Sequence, residues 1–137
     1  NNNQRGCFSE YLFATECIKR GYDISMPLSD ASVYDCIVDN GENLFKIQIK
    51  STIKLPVKDT ITTIQVPLQN SKRVYSKDNV DYFAVYVYHF DGFFIFKNNG
   101  NMQSVRLSLG VNIPKILITL YLKGILNPID NSFLIVL

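Results

Sequence analysis

The stretch "YDCIVDNGENLFKIQIKST", residues 34–52, decides the fold. Asn40-Gly41 is a strong signal for a tight hairpin turn, with strands expected over about 33–38 and 44–52. On the second arm Phe45, Ile47 and Ile49 alternate with Lys46, Gln48 and Lys50, the period of a strand with one apolar face. A two-residue Asn40-Gly41 turn places Gln48 as a diagonal neighbour of Asp35 on one face, and Lys50 shares that face. That register permits a cluster of an acid, an amide and a lysine on one face without proving it.

Upstream, "RGCFSEYLFATECIKR" (5–20) places Cys7, Tyr11, Ala14 and Ile18 at helical spacing, with Phe8, Leu12 and Cys17 widening the stripe. Gly21 stops this helix, and Lys19 and Arg20 complement its C-terminal dipole. "YDISMP" reads as a short extended piece ended by Pro27, and 29–32 as a loop. Downstream, "DTITTIQV" alternates as a strand, "VDYFAVYVY" is a buried strand, and "HFDG" turns it into the hairpin arm "FFIF". "KNNGN" is a loop and "QSVRLSL" a strand. "IPKILITLYLKG" is a helix with Pro114 near its start and Gly124 at its end. The closing "SFLIVL" is too apolar for a free tail.

Length bounds the chain to one domain, since 137 residues bury one core but not two. No segment holds the roughly 18 uncharged apolar residues that span a bilayer, so no membrane partner is expected. Cys7, Cys17 and Cys36 sit in apolar surroundings without a CxxC pair and read as reduced core thiols of a cytoplasmic protein. His89, the only histidine, stands beside a turn, which argues against a multi-histidine metal centre or a Ser-His-Asp triad.

The net charge of +2 hides an asymmetry. Residues 1–45 hold seven acids against three basic side chains, whereas 46–77 hold seven basic side chains and only Asp59. Positive charge gathered in one segment attracts a polyanion. The basic excursion at about 53–79 offers Lys54, Lys58, Lys72, Arg73 and Lys77, with Thr60, Thr62, Gln65 and Gln69 as neutral hydrogen-bonding groups. A strand pair there would make a ribbon of the kind that enters a major groove. Lys97 to Arg106 is a second candidate surface.

Metal-assisted cleavage of a phosphodiester needs hard oxygen ligands on rigid elements and a cation near the attacked phosphate. Asp35 supplies a carboxylate, Gln48 an amide oxygen and Ile49 a main-chain carbonyl. Lys50 could hold the phosphate or orient the attacking water. Glu10, on the helix, would return the negative charge that Gln48 lacks.

Glu10 followed by "RGYDISMPLSDASVYDCIVDNGENLFKIQIKST" (20–52) resembles the PD-(D/E)XK nuclease superfamily, and most closely the bacterial homing endonucleases of that type encoded in group I introns. The resemblance is strong over residues 5–52 and looser through "VDYFAVYVY". It implies an α/β restriction-endonuclease-like core, with a central mixed sheet and flanking helices. It implies Mg²⁺-dependent hydrolysis of double-stranded DNA, with Mn²⁺ a possible substitute, and catalytic positions at Glu10, Asp35, Gln48 and Lys50. The chain would then be bacterial, and associated with the nucleoid when bound to DNA. Tyr34 stands where the superfamily often has proline, and Gln48 where it has an acid. A Holliday-junction-type resolvase and a non-catalytic DNA-binding protein on the same fold remain alternatives. Cutting both strands with one site per chain implies a homo-oligomer, a dimer or tetramer, for which 113–126 and 133–137 could be the interface.

Overall fold

A computed structural model of the 137-residue chain describes residues 1–55, 63–69, 74–89, 91–108 and 134–136. One helix, α1 (Asn2–Lys19), precedes the strands β1 (Asp23–Ser25), β2 (Cys36–Asp39), β3 (Leu44–Thr52), β4 (Thr63–Pro67), β5 (Tyr82–Val87), β6 (Gly92–Lys97), β7 (Ser104–Ser108) and β8 (Leu134–Val136). Among the described residues, six strands form a mixed sheet in the order β1-β2-β3-β5-β6-β8, in which only the β3–β5 pair is parallel. β4 and β7 form a separate antiparallel ribbon.

α1 starts earlier than the expected 5–20 because the Asn1 side chain accepts the Asn3 N–H at 2.9 Å, a polar N-cap. It ends as expected at Gly21, whose φ of +86° suits glycine. There the Gly21 and Tyr22 N–H groups donate to Ile18 O and Cys17 O, the bond pattern of a Schellman cap. Its buried face differs from the expected stripe. Ser9, Phe13, Ala14 and Cys17 face inward, while Cys7, Phe8, Tyr11 and Ile18 are exposed. The reason is that Phe13 anchors the helix, its ring edge-to-face on Phe93 at 5.4 Å. Ser9, a short side chain that satisfies itself on Gly6 O at 2.9 Å, completes that face and turns the larger apolar side chains outward. Cys7 is therefore a surface thiol, not a core one, whereas Cys17 and Cys36 are free thiols in the core.

The sheet is packed on both faces, so its central strands read as continuous apolar runs. Ala84, Tyr86, Phe93 and Ile95 join Ile47 and Ile49 beneath α1. The alternate residues Phe83, Val85, Val87, Phe94 and Phe96 meet Ile64, Val66, Leu68, Val105 and Leu107 of the ribbon and its flank. Each fully buried phenylalanine contributes about 2 kcal/mol of transfer free energy. The ribbon thus joins the two surfaces that the sequence presents separately: β4 pairs not within its own excursion but with β7, Gln65 opposite Arg106. The helix expected over 113–124 lies outside the described residues. Of the closing apolar run, Leu134–Val136 pairs with β6 as an edge strand.

The parallel β3–β5 pairing begins at a double contact. The Asp81 N–H donates to Lys46 O, and its carboxylate accepts the Lys46 N–H, both at 2.8 Å. Asn98, only 2% exposed, secures the approach to β5 from the next strand. Its amide nitrogen donates to the carbonyls of Tyr75, Ser76 and Val80 at 3.0–3.1 Å, two N–H groups shared among three acceptors. Its oxygen accepts the Gly100 N–H at 2.9 Å. Truncation would leave buried carbonyls without donors. Asn98→Ala is expected to cost roughly 2–4 kcal/mol in urea denaturation; a loss below about 0.5 kcal/mol would show that the clasp is dispensable.

Candidate functional site

The site forms where two neighbouring strands stop matching. β2 begins at Cys36, paired with Ile47, but β3 runs on to Thr52, held only by β5. Lys46 O and Thr52 O accept bonds from Asp81 and Tyr88 on the β5 side. Alternation therefore turns the N–H and C=O of Ile49 towards β2, beyond its end. Asp35 fills the gap. Its own N–H donates to Ile47 O at 2.9 Å, and its carboxylate Oδ2 accepts the Ile49 N–H at 2.7 Å. A side chain thus replaces one backbone rung, and the carbonyl of Ile49 opens into the same split.

The hairpin register puts Gln48 directly across from Asp35, not diagonally. The turn is the four-residue loop 40–43, not the two-residue Asn40-Gly41 turn. Asn40 Oδ1 accepts the N–H groups of Glu42 and Asn43, and Gly41 takes a φ of +91°. Lengthening by two residues preserves the face and moves the partner. Gln48, 8% exposed, donates from Nε2 to Asp35 Oδ2 at 2.7 Å and lies 3.5 Å from Ile49 O. Lys50 follows on the same face, where its Nζ donates to the Tyr75 hydroxyl at 3.2 Å.

Glu10 reaches the site from α1, across the split. It lines one cleft with Asp35, shared with Asp30, Ser32 and Tyr34. Burial holds the Glu10 carboxyl above its ordinary value, and repulsion from Asp35 and Asp30 adds to this. Burial also raises Asp35, opposed by the Ile49 N–H and the charge of Lys50. The structure therefore brings together Asp35, Gln48, Ile49 and Lys50, and of these four it is Asp35 that shares the cleft with Glu10. Tyr22 is a core side chain, and Tyr34 lies on the cleft rim.

This donor set is chemically suited to a hard divalent cation: two carboxylates raised by burial, an amide oxygen and an open carbonyl. Among the described residues, no three His, Cys, Asp or Glu side chains are grouped to hold a metal. Neutral oxygens from Gln48 and Ile49 would have to complete the shell. For Gln48 this means turning its amide over, because the nitrogen now faces Asp35.

The surface candidates divide. Gln65 and Arg106 are exposed on the outer face of the ribbon, and Lys54 Nζ donates to Gln65 O at 3.1 Å. Gln69 and Lys77 are exposed nearby in sequence. Lys97 follows Phe93 and Ile95 in alternation, so it lies on the α1 side of the sheet, away from the ribbon. Lys58, Thr60, Thr62, Lys72 and Arg73 lie outside the described residues. Sequence reasoning missed Tyr75 and Asn98. A tyrosine in a lysine-rich loop and an asparagine in an asparagine run carry no periodic signal.

The PD-(D/E)XK endonuclease family profile matches residues 1–113. No curated protein sequence matches the chain. Among solved structures, the chain is similar to the bacterial homing endonuclease I-Ssp6803I, with a TM-score of 0.68 and 17% identity over 91% of this chain and 96% of that one. It also matches the Holliday junction resolvase Hjc of Archaeoglobus fulgidus, with a TM-score of 0.46 and 12% identity over 72% and 86% of the two chains.

The charge frustration is testable without activity. Unfolded, Glu10 ionises near 4.5; folded, it does so at higher pH. As pH rises through that window the folded chain holds a proton the unfolded chain has released, so stability falls and stays lower above it. Glu10→Gln is expected to raise the melting temperature of the metal-free protein at pH 7.5 by roughly 2 °C, with the gain gone at pH 4. A variant less stable at both pH values would contradict this electrostatic account.

Proposed function

The chain belongs to the PD-(D/E)XK endonuclease family, and from that premise we propose that it is a site-specific, Mg²⁺-dependent endonuclease of double-stranded DNA. The observation that carries the reading is the split between β2 and β3. Asp35 closes it on the Ile49 N–H, opposite Gln48 and beside Lys50. The likeness to I-Ssp6803I, a bacterial homing endonuclease, supports the homing class, and a group I intron source is proposed from the sequence resemblance alone.

Asp35, Glu10, the Gln48 amide oxygen and the Ile49 carbonyl would hold the ion. Bound there, it would supply Lewis acidity to the attacked phosphate and make water a better nucleophile. Mn²⁺ has the same preference for oxygen and could replace Mg²⁺. Lys50 places a positive charge on the open face beside Gln48, within reach of a phosphate oxygen or the attacking water. In the reaction the water oxygen bonds to phosphorus, the bond to one sugar oxygen breaks, and a proton reaches that leaving oxygen.

The basic segment that follows Lys50 draws in the duplex. Gln65 and Arg106 of the ribbon and Lys54 beside it, together with Gln69 and Lys77, would contact DNA; Lys58, Thr60, Thr62, Lys72 and Arg73 belong to the same proposal by sequence. Lys97, on the other side of the sheet, would reach only a phosphate that wraps the edge. One chain of this size reads about one half-site. Cutting both strands of a duplex therefore requires a second copy, in a homodimer or a tetramer.

Selection of cleaved sites from a randomised duplex library with Mg²⁺ is expected to return a defined sequence. Asp35→Ala and Lys50→Ala are each expected to slow its cleavage by about 10³-fold or more, with duplex binding changed by less than about threefold. Retained cleavage in both variants would remove this active site. Cutting of four-way junctions regardless of sequence would replace the proposal with resolvase activity.

A further inference from the structure

Lys50 is half-buried, and its ammonium is met by a side chain that the family pattern does not include. Tyr75 is 9% exposed, with its ring packed edge-to-face on Phe83 at 5.8 Å. Its hydroxyl accepts a hydrogen bond from Lys50 Nζ at 3.2 Å, while the ring centre lies 5.0 Å away. The oxygen lone pair, not the ring face, is thus the closer partner. A core-anchored tyrosine ending on a lysine ammonium is costly to place for packing alone, because phenylalanine would fill the same volume without a hydroxyl to satisfy.

The backbone around Tyr75 is fixed as firmly as its ring. Asn98 holds the carbonyls of Tyr75, Ser76 and Val80, and its own N–H donates to Asp81 O at 2.9 Å. Ser76 O in turn accepts the N–H groups of Asn79 and Val80. A continuous set of contacts therefore runs from the end of β6 through Asn98 to Tyr75 and on to Lys50. Val80 and Phe83, next along the chain, lie in the core beneath the ribbon.

We infer that Tyr75, held by Asn98, is a positioning residue that sets the direction of the Lys50 ammonium at the phosphate-facing side of the site. Ordering a free lysine side chain costs rotamer entropy. Tethering Nζ to a fixed hydroxyl removes much of that cost before substrate arrives, which is how preorganisation raises a rate. The tether is geometrically mild. One ammonium proton is used on Tyr75, and two remain for a phosphate oxygen or a water. Tyr75 acts through Lys50 and need not touch the reacting atoms. The inference rests on the nuclease reading for its catalytic consequence, but the tether itself does not.

The test uses the full chain, metal-free and with ¹⁵N-labelled lysine, and compares it with Tyr75→Phe, which retains the ring and removes the hydroxyl. In the parent, the Lys50 Nζ–H signal, identified by its loss in Lys50→Arg, is expected to exchange slowly enough to be seen at low temperature. It is expected to broaden beyond detection in Tyr75→Phe while the urea midpoint stays close to the parent's. Single-turnover cleavage of the selected duplex is expected to fall about tenfold with duplex affinity unchanged. A Lys50 signal that persists in Tyr75→Phe would overturn the tether whether or not the parent cuts DNA. An unchanged or faster single-turnover rate would overturn the positioning role. Failure of the parent to cleave any duplex would overturn the nuclease reading by itself, and the ammonium signal would still decide the contact.

Discussion

A strand that outlasts its neighbour is the constraint on which the rest of this structure depends. β3 needs β5 to keep residues 48–52 extended and rigid, and it needs β2 to end at Cys36 so that the Ile49 backbone is left open. If β2 continued, a main-chain rung would cover the carbonyl and no carboxylate could reach the Ile49 N–H. The Asp35 bond at 2.7 Å is therefore both a capping contact that closes a frayed ladder and the means by which an acid is fixed in the plane of the sheet. Gln48 and Lys50 then need no further device, because strand alternation aims them at the same side.

The surrounding core can be read as support for that split. α1 packs on Ile47 and Ile49, the apolar partners of Gln48 and Lys50 on the same strand. The β4–β7 ribbon covers β5 and β6 on the opposite face. The site sits between these layers, where burial makes charge expensive. Glu10 and Asp35 are both lifted by it, and repulsion from Asp35 and Asp30 lifts Glu10 further. Placing a glutamine opposite Asp35 limits this cost. A third carboxylate there would confront Asp35 across the ladder with no donor between them, whereas the amide donates to it. The neutral residue thus lowers the electrostatic cost of the fold at this position.

Much of this was legible in the sequence, for identifiable reasons. The alternation of Phe45, Ile47 and Ile49 with Lys46, Gln48 and Lys50 is a local property of β3, and its bounds agree with the structure. The parity of the hairpin was also legible, because a turn of two or four residues leaves Asp35 and Gln48 on one face. The turn itself was not, because Asn40 can start an Asn-Gly turn or bridge to Asn43, and the choice belongs to the flanking pairing. The inward face of α1 was misread for a similar reason. Hydropathy favours the stripe with the most apolar side chains, but Phe13 on Phe93 decides the docking. The pairing of β4 with β7 and the clasp of Asn98 on the 75–80 segment are long-range contacts, which no local period encodes.

The proposed divalent ion would sit in the β2–β3 split. Titrating Mn²⁺ into ¹⁵N-labelled protein and following paramagnetic broadening of the amides tests this directly. The predicted result is early loss of the Asp35, Gln48, Ile49 and Lys50 backbone signals and the Gln48 side-chain amide, together with those around Glu10, while the ribbon amides of Gln65 and Arg106 persist. Broadening that begins elsewhere, or that leaves Ile49 among the last to disappear, would contradict it.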